Sequence, residues 1–289
     1  MKYIYYPGCT LEGTAREYDQ STRAAMKALG GELLELEDWT CCGASAAEAT
    51  SYLLAMVLAA RNLALGDRID SEADFLVPCS ACYLNLRRVE DHVSRDPQLS
   101  GKINEALKDE GLVYKGKRKV RHLLDVLARD FDPEGIRPLV KRSLEGLTVA
   151  PYYGCQTLRP YAGFDDPEQP RSMESLIEAL GANVYPWSVG SKCCGAALMS
   201  TKKEVAMELT GGILDAARGA DCIVTVCPMC QMNLEAYQEP IARKRGEAVK
   251  ISVLYLPQLM GWAFGLPGDA LKLNLNLALN DSFRRKVGM

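Results

Sequence analysis

At 289 residues, with 34 Lys and Arg against 37 Asp and Glu, the chain carries a formal charge of −3 and has no general attraction for nucleic acid or anionic lipid. That length accommodates two domains with separate cores. The opening MKYIYYPGCT lacks the apolar core of a secretory signal, and the longest apolar-rich stretch, residues 52–65, is broken by Arg61 and Asn62. It falls short of the about 20 apolar residues that a spanning helix needs, so a cytoplasmic chain without direct membrane insertion is expected.

In chain order, a β-rich run from Tyr3 to Tyr6 ends at Pro7-Gly8-Cys9, which places the first cysteine just past a strand. A helix is predicted over Tyr18 to Leu29, closed by Gly30-Gly31. Strand-like Glu32 to Leu36 then leads through Trp39 to Cys41-Cys42-Gly43, and a long helix over about Glu48 to Leu65 carries the chain away. A third strand, Phe75-Leu76-Val77, delivers Cys79 and Cys82, with Asn85-Leu86 behind them, and Val120 to Leu123 opens a fourth block. The segment Asp130 to Gly146, beginning DFDPEG, supplies turn residues and a short helix. It divides the chain into domains over 1–144 and 145–289.

The second half repeats the first. Val149 to Tyr153 leads to Gly154-Cys155, and a helix over Arg171 to Leu180 is closed by Gly181-Ala182-Asn183. Val184-Tyr185 and Trp187 precede Cys193-Cys194-Gly195, followed by a helix over about Lys203 to Arg218. A strand from Ile223 to Val226 delivers Cys227 and Cys230, with Asn233-Leu234 at the same offset as Asn85-Leu86, and Val253 to Leu256 matches the fourth block. The tail from Leu271 to Asn280 alternates apolar with mostly polar residues, as an edge strand or an arm laid on a partner would. Strands alternating with helices predict an α/β fold with parallel sheets covered on both faces and ligands gathered outside the carboxyl ends of the strands. All three cysteine blocks of each half fall there.

Ten of the eleven cysteines belong to this repeat, and Cys222 alone reads as a small hydrophobe in a buried strand. An odd count, adjacent Cys-Cys pairs and the missing export signal argue against a disulfide framework. Thiolates are soft ligands that select iron–sulfur clusters, zinc or copper(I). Four suffice for a cubane cluster or a zinc site, and each half offers five. Adjacent Cα atoms lie about 3.8 Å apart, so a vicinal sulfur pair suits two neighbouring irons better than one tetrahedral ion. Zinc sites that merely brace the fold would leave the fifth cysteine without a role. Gly43 and Gly195 are expected to let backbone approach the metal without a Cβ clash.

These residues resemble the CCG-domain proteins, and among them the B subunits of heterodisulfide reductases, over nearly the whole chain. The resemblance implies two similar Rossmann-like CCG domains related by a pseudo-twofold axis, each binding a noncubane [4Fe-4S] cluster. The first cluster would use Cys9, Cys41, Cys42, Cys79 and Cys82; the second would use Cys155, Cys193, Cys194, Cys227 and Cys230. The 36-residue run between Cys42 and Cys79 is slightly longer than the family's usual one, which lengthens a loop and leaves the ligands intact.

The resemblance further implies an oxidoreductase acting on a sulfur group in methanogenesis, with the mixed disulfide of coenzymes M and B lying between the clusters and split by two electrons delivered one at a time. The sequence has no G-x-G-x-x-G fingerprint for a flavin or dinucleotide. Electrons would therefore come from the partners that the resemblance supplies: the cubane-bearing C subunit and the flavin-containing A subunit of heterodisulfide reductase, and behind them a hydrogenase or formate dehydrogenase. The alternatives are a bacterial disulfide reductase with another substrate, or an iron–sulfur relay like the CCG subunits of glycolate, lactate or glycerol-3-phosphate oxidising complexes. Those relay subunits commonly carry extra ferredoxin-type cysteine runs, which this chain lacks.

Coenzyme M carries a sulfonate, and coenzyme B a phosphate and a carboxylate, so Arg159 and Lys192, close to Cys155 and Cys193, are the candidate substrate-binding cations. The basic run Lys115, Lys117, Arg118, Lys119 and Arg121 reads first as a solvated loop face and second as a dock for an acidic partner. His122 reads as a satisfied histidine near a strand end and His92 as exposed; two histidines leave little material for acid–base chemistry. Trp39 and Trp187, shortly before the Cys-Cys pairs, are expected to cover the nests and exclude water.

Overall fold

A computed structural model describes residues 1–289 apart from 45, 70–71, 162 and 248–249. The first lobe runs β1 (Lys2–Tyr5), α1 (Cys9–Glu12), α2 (Arg16–Ala28), β2 (Glu32–Glu35), α3 (Ala46–Thr50), α4 (Tyr52–Gly66) and β3 (Phe75–Val77). It continues through α5 (Ser80–Arg95), α6 (Pro97–Leu107), β4 (Val120–His122) and α7 (Leu123–Val126), and α8 (Asp132–Ile136) leads onward. The second lobe runs β5 (Thr148–Tyr152), α9 (Ser172–Ala179), β6 (Asn183–Val184), α10 (Lys203–Ala216), β7 (Cys222–Thr225) and α11 (Pro228–Ala236). It closes with α12 (Gln238–Arg245), β8 (Ser252–Tyr255), α13 (Leu256–Ala263) and α14 (Asp281–Val287).

Each lobe holds one four-stranded sheet, ordered β2-β1-β3-β4 and β6-β5-β7-β8, with every pairing parallel. The predicted α/β architecture and repeat are therefore present. The inner strands β1, β3, β5 and β7 are apolar on nearly every residue, as strands covered on both faces must be. Cys222 is one of these residues, fully buried in β7, where burial pushes its thiol upward.

The lobes meet along α2 and α13. Tyr18, Thr22, Ala25 and Met26 line one face of α2, and Leu256, Leu259, Met260 and Ala263 fill α13, all almost fully buried. Aromatic contacts cross the join reciprocally. Tyr18 of the first lobe stacks on Tyr255 at the end of β8, with centroids 4.0 Å apart and planes 2° off parallel. Phe164 of the second lobe lies parallel to His122 at the end of β4, 6.4 Å away. His122 and Tyr255 hold matching places, each at the end of its outermost strand, which is the exchange a twofold relation requires.

Three expectations need correction. The helix expected over Glu48 to Leu65 is two helices, because Ser51 is extended and its Oγ accepts the Leu54 N–H at 3.3 Å, which starts α4 afresh. The tail from Leu271 to Asn280 is no edge strand. It is a strap across the second lobe, in which Asn276 donates to Val253 O at 3.1 Å and pairs with Gln258 of α13, while the Asn280 N–H reaches Ser252 Oγ at 3.0 Å. His92, expected to be exposed, is half-buried on α5 with Tyr52 Oη 2.6 Å from Nδ1.

Candidate metal centre

Every one of the ten repeated cysteines lies at or just beyond the carboxyl end of its sheet. Cys9 opens α1 directly after β1, and Cys79 and Cys227 precede the first residues of α5 and α11, so Cys82 and Cys230 sit on first helical turns. The vicinal pairs occupy loops between β2 and α3 and between β6 and α10. In the first lobe Cys9 Sγ lies 3.7 Å from Cys41 Sγ, and Cys42 Sγ lies 3.5 Å from Cys82 Sγ; in the second, Cys194 and Cys230 are 3.6 Å apart. All remain free thiols. Room for this convergence comes from two glycines: a Cβ on Gly8 would stand 2.8 Å from Cys82 Sγ, and one on Gly154 would stand 2.9 Å from Cys230 Sγ. Both also have positive φ, 75° and 70°, which a side chain would resist.

The loops are clamped identically. Tyr6 Oη donates to Thr40 O at 2.8 Å and Tyr152 Oη to Lys192 O at 2.7 Å, each holding the carbonyl just before a Cys-Cys pair. Asn85 Nδ2 donates to Cys42 O at 3.1 Å and Asn233 Nδ2 to Cys194 O at 3.2 Å. Trp39 and Trp187 pack edge-on against Tyr6 and Tyr152, with centroids 5.5 and 6.1 Å apart, so the tryptophans act on the nests through the clamping tyrosines.

The nests adjoin across the lobe boundary. Tyr18 Oη is shared between Pro78 O at 3.1 Å and Val226 O at 2.9 Å, the carbonyls immediately before Cys79 and Cys227. Ser80 beside Cys79 reaches Thr157 of the second lobe at 2.7 Å and hydrogen-bonds the Cys227 thiol. His122 is fully buried here: Nδ1 accepts the Leu124 N–H at 3.1 Å, leaving Nε2 to face Ser80 Oγ at 3.4 Å. Burial pushes its ring down to about 3, against the pull of the Pro78 and Val226 carbonyls, so it is a neutral structural group.

Comparison with known proteins now fixes the lineage. A family model described as the CCG cysteine-rich domain matches residues 3–87 and again 149–235, more than half of the chain. The chain belongs to the CCG cysteine-rich domain family. It is 38% identical over 280 residues, covering 96% of both chains, to the 8-methylmenaquinol:fumarate reductase membrane anchor subunit of Wolinella succinogenes. It is 32% identical over 274 residues to a protein of Archaeoglobus profundus named as like the B subunit of heterodisulfide reductase, covering 92% of this chain and 91% of that one. Identity to the B subunit of the ferredoxin:CoB-CoM heterodisulfide reductase of Methanosarcina mazei is 29% over 293 residues, covering 99% and 97%. The fold matches the crystal structure of a hypothetical protein from Helicobacter pylori with a TM-score of 0.75 at 14% identity, covering 97% of this chain and 52% of that one. This chain thus spans about half the length of that structure. No helix among the described residues is long and apolar enough to cross a membrane.

The sulfurs of each CCG nest compete for negative charge. Hydrogen bonds from Cys41 and then Cys82 pull the Cys42 thiol down to about 4, while Cys82, crowded by Cys42 and Cys79, is pushed well up. In the second nest hydrogen bonding from Cys155, aided by the Gly195 N–H and the Arg159 charge, pulls Cys193 down to about 6, while Cys230, crowded by Cys194 and Cys227, is pushed well up. A multiply charged cationic core would relieve that conflict by letting all five ionise. Among the described residues no three Cys, His, Asp or Glu side chains are arranged to enclose a single metal ion. Five thiolates with a vicinal pair in each nest are a donor set that fits an iron–sulfur core better than one four-coordinate zinc.

Both candidate substrate cations stand beside Cys193, Lys192 directly before it and Arg159 close enough for its charge to act on the thiol. Arg159 is committed to the second lobe's own loops, donating to Pro167 O at 2.9 Å, Glu168 Oε1 at 3.0 Å and Ser191 O at 2.5 Å. Lys192 is exposed, and its carbonyl serves the Tyr152 clamp. A cavity of about 50 Å³ at the second CCG nest is lined by Ser80, Tyr153, Gln156, Ala197 and Met229 besides its cysteines, with no lysine or arginine among the described residues. In the basic run, Arg118 holds the carbonyls of Ala73 and Ile69 and Arg121 pairs with Asp125 and Asp130, whereas Lys115, Lys117 and Lys119 are exposed.

Sequence reasoning missed the clamps. Tyr6 and Tyr152 stand three residues before Cys9 and Cys155, and Asn85 and Asn233 stand three residues after Cys82 and Cys230, so equal offsets were the available signal.

Proposed function

We propose that the chain is an iron–sulfur electron-transfer subunit of a quinol-linked oxidoreductase complex, each CCG lobe seating one noncubane [4Fe-4S] cluster on its five cysteines. When bound, these clusters would supply one-electron steps between a quinol donor and an acceptor held by another subunit. The observation that carries this reading is the lining of the second nest's cavity, which among the described residues includes no lysine or arginine to meet a sulfonate- and phosphate-bearing disulfide. The 38% identity to a subunit of a menaquinol:fumarate reductase, across 96% of both chains, points the same way.

The chain's own part is positional. Tyr6, Tyr152, Asn85 and Asn233 hold the ligand loops in place, and Gly8 and Gly154 leave space for sulfur. Tyr18 and Ser80 keep the nests adjacent, so that an electron entering one lobe has a short path to the other. Partners in this setting are a cubane iron–sulfur protein and a flavoprotein that reduces the dicarboxylate.

A second reading, reduction of the coenzyme M–coenzyme B disulfide as the catalytic part of a methanogenic complex, is favoured by that same contact between nests and by relatives at 29–32% identity. Anaerobic purification should yield about eight irons and eight sulfides per chain. The loaded protein should then pass electrons from reduced viologen to a flavin-bearing fumarate reductase without turning over the mixed disulfide. Disulfide turnover would transfer support to the second reading.

A further inference from the structure

Behind the second lobe's nest, at the far end of the helix that carries Cys230, lies an open cleft of about 700 Å³. It is floored by Glu235, with Ala242 of α12, Ile251 just before β8, and Leu277 and Leu279 of the strap forming an apolar wall and Gln238, Glu239, Lys250, Asn280 and Asp281 a polar one. Volumes of this order are typical of small-molecule sites. Glu235 stands five positions after Cys230 on α11, about 7.5 Å along the helix axis. Between them Cys227, Cys230, Leu234 and Ile251 belong to one buried cluster against which Ala278 of the strap rests, and the buried amides of Gln231 and Gln238 bond the backbone of Val253 and Ile251.

Glu235 is 8% exposed, and its side chain accepts long hydrogen bonds from the Ala278 N–H at 3.3 Å and Asn276 Nδ2 at 3.4 Å. Burial raises its carboxyl to about 7, with the charge of Glu17 on α2 adding to the effect and the strap N–H groups opposing it. The other charged groups facing it are Glu239, Lys250 and Asp281 on the cleft walls. A carboxyl so placed takes up and releases protons near neutrality.

A flat ring that gives up electrons and protons together needs three things at once: an apolar slot, a proton acceptor, and a one-electron centre close by. The cleft offers one apolar wall, of Ile251, Leu277 and Leu279, together with the proton acceptor, and Cys230 of α11 would help to hold the third. Resting on the electron-transfer reading above, we propose that this cleft is a quinol-oxidation site, with the ring hydroxyl against Glu235 and the isoprenoid tail leaving past Leu277. Leu277 is 73% exposed at the rim, as a tail exit would be. The reaction balances as one quinol giving one quinone, two electrons and two protons. Both O–H bonds break. One proton passes to the Glu235 carboxylate and on to solvent, the other to water at the open mouth beside Lys250. The two electrons would leave singly to an iron–sulfur cluster that Cys227 and Cys230 help to hold when it is bound, with the dicarboxylate-reducing flavoprotein as final acceptor.

The test is anaerobic equilibrium dialysis of the iron-loaded chain against 2,3-dimethyl-1,4-naphthoquinone, whose blocked ring positions prevent addition of the eleven thiols. Saturable binding is expected, weakened about ten-fold or more in Ile251→Trp and in Leu279→Trp, which fill the cleft from different walls. Leu54→Trp, at an exposed position of α4, should bind as the parent does. Leu279 is only half-buried, so its variant carries the test if Ile251→Trp fails to fold. Glu235→Gln should keep quinone binding yet remove the rise of quinol oxidation with pH through neutrality in the assembled complex. Binding that survives both tryptophans, or a fully iron-loaded chain that binds no quinone, overturns the quinol site and leaves the electron-transfer reading standing. A chain that holds no iron overturns that reading and the site with it.

Discussion

The two lobes share strand order, glycine, tyrosine and asparagine clamps, yet they shield their sulfurs differently. After Cys9 the first lobe enters α1 at once and reaches α2 at Arg16, and Cys9 and Cys41 are both exposed. After Cys155 the second lobe inserts residues 156–171 before α9, a loop tied down by Arg159, and Cys155 is only half-buried while Cys193 remains exposed. In both, the three remaining sulfurs are buried. The lesson is that the repeat preserves what positions the donors and varies what covers them. The covering loop also brings a positive charge to Cys193 that has no counterpart among the groups acting on Cys41.

The comparison can be broken or sharpened at four points. The largest effect is expected from Gly8→Val and Gly154→Val, each placing carbon where a sulfur already sits, so each should remove about half of the iron by chemical analysis. Loss of all iron from either variant would mean that the nests form only together. Next, a chelator should strip the first nest several-fold faster than the second, followed by the decay of two resolved electron paramagnetic resonance signals, because the loop after Cys155 bars the way. Equal rates would show that the loop is no barrier.

The third point is pH. The folded-state pKa of His122 lies below the ordinary 6.5, so the stability its neutral ring contributes is complete above about 6.5 and is lost as pH falls toward 3. Between pH 7 and 5 that amounts to about 2 kcal/mol, read as the difference in urea midpoint between wild type and His122→Gln. The matching residue in the second lobe, Tyr255, is held neutral far above that range by burial, so Tyr255→Phe should leave the same pH slope unchanged. The smallest effect belongs to Tyr18→Phe, which keeps the ring stacked on Tyr255 but removes the hydroxyl between Pro78 O and Val226 O. A loss of about 1 kcal/mol is expected in a denaturant titration.

Much of this was legible in the sequence because cysteine spacing and strand–turn–helix order are local. The carboxyl-end placement of all ten sulfurs followed from runs such as Phe75-Leu76-Val77 leading into Cys79. What could not be read depends on partners distant in the chain. Alternation from Leu271 to Asn280 looked like a strand, but burial follows it only at Leu271 and Leu273; beyond them Asn276 is the buried residue, Leu275 and Leu277 are exposed, and no ladder forms. Arg159 looked available to an anion until residues 167, 168 and 191 came around it. Glu235 carried no signal at all, since its burial depends on the strap.

That strap has a consequence for how the protein is made. The groups that complete β8 and α13, Asn276 and Asn280, leave the ribosome long after every element of the first lobe through α7 has emerged. A nascent chain whose strap is still inside the exit tunnel cannot close the second lobe. The direction of synthesis therefore sets the order in which the halves mature, N-terminal first.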